Sequence, residues 1–229
     1  MHRETGIIVQ LRGGLIVSCQ AEAYEPMRGG RIMAAMARAA SEGGAVGIRA
    51  NGPADIQAVR RVVSLPVIGI FKVDLPGWEV RITPRLEDAN LVAQAGAQII
   101  ALDATQRPHP ENLTASELIQ AVKQSAGCPV MADISTFEEG VAAAQAGADL
   151  VATTLSGYTS YSPQQVEPDF DLVHRLSRAI TVPVIAEGRI ATPQHARRML
   201  DLGAYAVAVG SAITRPQWIT RQFAQALSA

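Results

Sequence analysis

Seven times along the chain a short apolar run follows one of two dipeptides, and this recurrence limits the fold more than any other feature. Pro-Val introduces PVIGIFK (66–72), PVMADIS (129–135) and PVIAEGR (183–189). Gly-Ala introduces GAVGIRA (44–50), GAQIIALDAT (96–105), GADLVATTLS (147–156) and GAYAVAVGS (203–211). With the opening GLIVSCQ (14–20) the runs number eight. They are rich in Val, Ile and Ala and show no polar alternation, as strands of a parallel sheet buried on both faces do.

Helix-length segments separate the runs. RIMAAMARAASEGG closes on glycines, as a helix C-terminus does. TPRLEDANLVAQAGA, STFEEGVAAAQAGA and ATPQHARRMLDLGA each open on a Ser/Thr cap candidate, two of them with proline next to it. NGPADIQAVRRVVS, ENLTASELIQAVKQSAG and DFDLVHRLSRAI fill the other gaps, and WITRQFAQALSA forms a terminal helix. Alternating strands and helices of this number predict a single (β/α)8 TIM barrel over residues 1–229, with no linker dividing it. An open doubly wound sheet is the alternative, because counting strands does not prove closure. The Pro-Val and Gly-Ala alternation favours the barrel, whose odd and even strands fill different interior layers.

Composition narrows the function. Hydrophobic residues make up 48% and charged residues 18%, which supports one large core. A formal net charge of -1 gives no broad nucleic-acid or membrane surface, and 4% aromatics gives no platform for stacking bases. No window reaches the roughly 18 apolar residues of a membrane span, and MHRETGIIVQLRGG lacks the pattern of a secretory signal. Cys19 and Cys128 make no disulfide framework and have no metal-ligand spacing. The expectation is a cytoplasmic enzyme or binding protein for a small molecule. Its terminal helix, with Trp218, Phe223 and Leu227, either covers the barrel or meets a second copy in a homodimer.

In a (β/α)8 barrel the carboxyl ends of the strands form the active face. Those ends read Gln20, Arg49, Lys72, Asp103, Asp133, Thr153 with Thr154, Glu187, and Gly210-Ser211. The opposite ends carry only Pro and Gly-Ala. Lys72, Asp133 and Glu187 directly follow apolar residues, so they are expected to point into one pocket, with Thr153 as a substrate contact at the sixth strand end. A second signal lies in EGRI (187–190) and VGSAITRP (209–216), where a glycine turns a strand into a helix. Barrels often hold a phosphate there on backbone N–H groups, with Ser211 donating and Arg189 or Arg215 supplying charge. His109 is expected in a solvated loop, and His174 and His195 on helices away from the strand ends. No histidine pair or carboxylate cluster has the spacing of a metal site.

The blocks LRGGLIVSCQA, GAVGIRANG, IGIFKVDLPGWEVRITP, IIALDATQRP, MADIST, ATTLSGYT, VIAEGRIATP and AVGSAITRP together resemble the N-acetylmannosamine-6-phosphate 2-epimerase family over about residues 11–223. The resemblance implies a (β/α)8 barrel that interconverts N-acetylmannosamine 6-phosphate and N-acetylglucosamine 6-phosphate in amino-sugar and sialic acid catabolism. It implies no metal and no cofactor. It places the catalytic lysine at Lys72 and its acidic partner at Glu187. Contacts to substrate hydroxyl and acetamido groups fall at Gln20, Arg49 and Asp133, and the phosphate at Gly188, Arg189, Gly210, Ser211 and Arg215. The family pattern is least clear in YSPQQVEPDFD (161–171), which leaves the contacts of loop 156–168 open.

The residues suit that chemistry. C2 of the open-chain sugar lies beside an aldehyde, so its proton is removable, and a neutral Lys72 is the base. Burial and a nearby Arg49 favour the neutral amine, whereas a nearby Glu187 favours the ammonium. Glu187 is the expected second acid or ring-opening group, and Asp133 is able to share either task. Two other readings stand beside this one: a Schiff-base aldolase using Lys72, and a sugar-phosphate sensor without chemistry.

Overall fold

Strands that are apolar on both faces need partners on both edges and cover on both sides. In the computed structural model, which describes residues 6–228, they pair in chain order until the sheet meets itself. The strands are β1 (Leu15–Cys19), β2 (Gly47–Asn51), β3 (Val67–Ile70), β4 (Ile99–Asp103), β5 (Val130–Asp133), β6 (Leu150–Ala152), β7 (Val184–Glu187) and β8 (Ala206–Val209). All neighbours are parallel, and β1 closes against β8 with Leu15 opposite Val207 and Val17 opposite Val209. The fold is a (β/α)8 barrel, and closure removes the open-sheet alternative.

A short α1 (Gly6–Val9) precedes β1. The helices α2 (Gly30–Glu42), α3 (Pro53–Arg60), α4 (Leu86–Gln94), α5 (Ala115–Ala126), α6 (Phe137–Gln145), α7 (Phe170–Ala179) and α8 (Pro193–Asp201) follow β1 to β7 in turn. After β8 come α9 (Ser211–Thr214) and α10 (Pro216–Leu227). Thr136 caps α6 in a reciprocal box with Glu139, and Thr192 caps α8 with Pro193 in its first turn, both as expected.

The third cap candidate behaves differently. The cap of α4 is Arg85, and Thr83 lies two residues earlier at φ 47°, an unusual value for a β-branched residue. Its hydroxyl accepts the Phe71 N–H at 3.0 Å and donates to the Ala101 carbonyl at 2.7 Å. Thr83 therefore pins a segment that returns after β3, in which Lys72 bridges Ile82 in antiparallel fashion. The Val73 N–H donates to the Arg81 carbonyl at 2.9 Å in the same strap.

Side chains alternate between two apolar layers. Ile16, Ile68, Ile70, Ile99, Ala101, Met131, Leu150, Ala152, Ile185, Ala206 and Ala208 fill the barrel, while Val17, Ile48, Val67, Ile100, Val130, Val151 and Val184 meet the helices. Gly69 has no room for a side chain on the outer face. A Cβ there would lie 2.5 Å from Val92 and 2.6 Å from Ala97, so glycine lets α4 sit close to β3. Cys19 is buried, and burial pushes its thiol up to about 12. In α10, Trp218 reaches the cavity described below, while Phe223 and Leu227 are exposed. No helix among the described residues is long and apolar enough to cross a membrane.

Candidate active site

The period of two inside the barrel decides which polar groups face the axis. Extending the inward set by one step gives Ser18 and Gln20, Arg49, Lys72, Asp103, Asp133, Thr154, Glu187 and Gly210. All of these except Asp133 line one cavity of about 940 Å³ at the carboxyl ends of the strands. Gly188, Arg189, Ser211 and Arg215 line it too, so the expected proton-transfer and phosphate-binding groups share one chamber.

Two expectations are corrected by this period. Thr153 follows outward-facing Val151 and is buried, with its hydroxyl donating to the Glu187 carbonyl at 2.9 Å and accepting the Glu187 N–H at 3.1 Å. Thr153 joins β6 to β7, and the cavity-lining threonine is Thr154. Asp133 does face inward but lies under other side chains, fully buried. Arg49 and Thr154 occupy its oxygens, with Arg49 Nη1 3.0 Å and Thr154 Oγ1 2.7 Å from Oδ1. It supports the floor of the site and does not line the cavity.

Arg49 is the centre of that floor. Its guanidinium grips Asp133 with both terminal nitrogens and donates from Nη1 to Glu187 Oε2 at 2.7 Å. Three strands on different sides of the barrel, β2, β5 and β7, supply these groups. Burial works against the Arg49 charge, but the two carboxylates outweigh it and hold the guanidinium more firmly protonated than usual. Glu187 ends in the opposite condition. Burial pushes its carboxyl above the ordinary range, Arg49 pulls it down, and Asp133 pushes it up again, for a net rise. A carboxyl that holds its proton more readily than usual, facing a cavity, suits a general acid.

Lys72 stands on the other side. The resemblance gives Glu187 as its acidic partner in the reaction; in direct contact, the structure pairs Lys72 with Glu22, Nζ to Oε1 at 2.8 Å, while Glu187 pairs with Arg49. Asn51 fixes the lysine's main chain by accepting its N–H at 2.8 Å. Glu22 lies in the β1–α2 loop, a residue type and place that no strand-end pattern singles out. Burial raises its carboxyl, but the Lys72 hydrogen bond and the charges of Lys72, Arg81 and Arg215 outweigh that and leave it below the ordinary range. Arg81, also absent from the sequence-based set, reaches Glu22 Oε2 at 3.5 Å from the returning strap. Gln20 is beside them, its amide donating to Ser18 Oγ at 2.8 Å.

At the β7 and β8 ends, Gly188 (φ 111°) and Arg189 (φ 55°) turn the chain, and Gly210 leads into α9. Arg189, expected to supply charge to a phosphate, is also tied to a neighbouring loop. Its Nε donates to the Glu167 carbonyl at 2.9 Å and its Nη1 to the Ser156 carbonyl at 2.6 Å, clamping the β6–α7 loop. Gly157 makes room for it, since a Cβ there would lie 2.6 Å from Nη1. Carbonyls do not neutralise a guanidinium, so its charge remains at this end of the cavity. Arg215 sits 3.2 Å from Glu25 Oε1.

His174 lies on α7 and does not line the cavity, as expected, whereas His109 and His195 depart from expectation. His109 is buried rather than solvated, its ring nitrogens 2.9 Å from the Arg107 and Asp103 carbonyls. His195, in the first turn of α8, lines the cavity instead of lying away from it. Among the described residues no three His, Cys, Asp or Glu side chains are grouped as metal ligands.

Comparison with known proteins shows the family. Residues 33–229 match the family described as "NanE: Putative N-acetylmannosamine-6-phosphate epimerase". A relative from Caldanaerobacter subterraneus, named "Putative N-acetylmannosamine-6-phosphate 2-epimerase", is 53% identical over 95% of this chain and 92% of its own length. One of the same name from Clostridioides difficile is 47% identical over 95% of this chain and 97% of its own. The solved N-acetylmannosamine-6-phosphate 2-epimerase from Clostridium perfringens superposes with a TM-score of 0.94 at 44% identity, over 99% of this chain and 98% of that one. A thiamine phosphate pyrophosphorylase from Pyrococcus furiosus, at 19% identity and a TM-score of 0.60, shares the fold alone. With a family model matched over most of its length and relatives near half identical across nearly all of it, the chain belongs to the N-acetylmannosamine-6-phosphate epimerase family.

Proposed function

We propose that the chain interconverts N-acetylmannosamine 6-phosphate and N-acetylglucosamine 6-phosphate by removing and returning the proton at C2, as an isomerase that needs no cofactor. The observation that carries the reading is the placement of two proton-handling groups on opposite walls of one chamber. Lys72 follows β3 and Glu187 ends β7, four strands apart in a closed ring of eight. A sugar lying between them presents one face of C2 to each. Inversion needs proton removal from one face and delivery to the other.

In this scheme the phosphate is held at Gly188, Arg189, Gly210, Ser211 and Arg215, which lets binding energy at the far end orient C2. Neutral Lys72 takes the C2 proton, and the electron pair of the C–H bond becomes the C1–C2 double bond of an enolate whose charge rests on O1. Glu187, aimed by Arg49, gives its proton to C2 on the opposite face as the carbonyl re-forms. In the reverse direction the two groups exchange roles. Gln20 and Thr154 hold substrate hydroxyl or acetamido groups. A phosphorylated sugar does not cross a bilayer unaided, which supports the cytoplasm as the place of action. The exposed Phe223 and Leu227 of α10 support a homodimer.

Proton NMR of N-acetylmannosamine 6-phosphate in deuterated water tests the scheme. The wild-type protein produces the epimer with deuterium at C2. Lys72→Met lowers both epimerisation and exchange by about 10³-fold or more from that substrate. Glu187→Gln lowers epimerisation by about 10²–10⁴-fold while Lys72 continues to exchange the C2 hydrogen without inversion. Full exchange in the Lys72→Met protein removes the lysine from the role of base, and equal loss of exchange and inversion in Glu187→Gln removes the two-face scheme.

A further inference from the structure

We propose that Glu22 is the positioning residue of the Lys72 base, with Arg81 as its brace. This inference rests on the reading of Lys72 as base given above. A flexible four-carbon side chain that takes a proton from carbon has to be aimed, and the ammonium it becomes has to be stabilised without loss of the partner's own charge. Glu22 satisfies both needs. Its Oε1 is 2.8 Å from Nζ, and it does not line the cavity itself, so it acts through side chains that do, Lys72 first among them. Its carboxylate stays ionised because cations flank it.

The surroundings of Glu22 are built to hold it still. On one side Arg81 Nη2 lies 3.5 Å from Oε2, placed there by the strap in which Lys72 and Ile82 pair. Arg81 is in turn held by Asp74. On the other side Glu25 Oε2 accepts the Glu22 backbone N–H at 2.7 Å, and the Glu25 N–H returns to the Glu22 carbonyl at 3.0 Å. Glu25 also receives Gln217 Nε2 at 2.8 Å and Arg215 Nε at 3.2 Å. The loop carrying Glu22 is therefore fastened to the helices that follow β8. The arrangement is that of a base oriented by a third group, as in other base-and-orienter pairs.

Steady-state kinetics with N-acetylmannosamine 6-phosphate separate positioning from substrate binding. In Glu22→Gln, kcat falls about 10²-fold while KM changes little, because the interaction lost is one made through the base. Glu22→Asp keeps the charge and recovers part of kcat, and Arg81→Gln lowers kcat less than Glu22→Gln does. C2 hydrogen exchange falls in step with kcat in each variant. A Glu22→Gln protein with kcat within about twofold of wild type, beside an inactive Lys72→Met, overturns the role of Glu22 and leaves the base reading standing. A Lys72→Met protein that still exchanges overturns the base reading itself. If Glu22→Gln does not fold, Arg81→Gln is judged by the same criterion, and unchanged kcat there overturns the inference.

Discussion

Two ion clusters serve the cavity of this barrel, one in its floor and one at its rim, and they are built to opposite specifications. Around Arg49, side-chain exposure is 1% for the arginine and 0% for Asp133, and both carboxylate partners come from strands. Around Lys72, lysine and glutamate are each 20% exposed, and Glu22 and Arg81 come from loops. The first is a fixed base of charge that aims Glu187. The second keeps a flexible amine near water and substrate while limiting its directions. The contrast teaches that proton transfer in this cavity divides labour between a rigid wall and an adjustable one.

The difference can be tested by breaking each side. The largest effect on stability is expected for Arg49→Met, which leaves Asp133 and Glu187 as uncompensated carboxylates in the barrel. Removing one member of a buried pair costs about 3–5 kcal/mol, readable as a lower midpoint in urea. The two glutamates should then give opposite pH slopes. Glu22 lies below its ordinary value of 4.5, so its stabilisation is present above that pH and fades as pH falls through its folded value. Glu187 lies above 4.5, so the native state holds a proton that the unfolded state has lost, and stability declines as pH rises from there. Urea melts at several pH values should show the gap between wild type and Glu22→Gln shrinking in acid, and the relative stability of Glu187→Gln growing toward neutral pH. The smallest effect is expected for Asp74→Asn. Its side chain is 78% exposed, and loss of its pair with Arg81 should change stability by about 0.5 kcal/mol or less.

The strands and the barrel were legible because burial on both faces leaves a plain apolar signature. Gln20, Arg49, Lys72 and Glu187 were legible for the same reason, since a polar group directly after such a run must face something. The sequence names Thr153 and Thr154 together and does not choose rightly between them, because β6 is only three residues long, too short for its period to fix the inward set. Glu22 and Arg81 were not legible. Their positions depend on a loop and a strap that return to the barrel, held by Thr83 in a conformation that its residue type does not announce. Thr83 itself reads as a helix cap, and only the cross-strand bonds reveal its use. His109 was misread because proline-flanked histidines usually sit in open loops, whereas here two carbonyls enclose the ring.

The Arg49 cluster also bears on how the chain can exist before it is finished. Asp133 lies 84 residues after Arg49 in sequence, and Glu187 lies 138 after it. A fragment ending after the fourth strand would carry Arg49 without either carboxylate that holds it in the closed barrel. Half-barrels of this protein are therefore poor candidates for stable life on their own, and a truncated or stalled product would betray itself to the cell's proteases by failing to close.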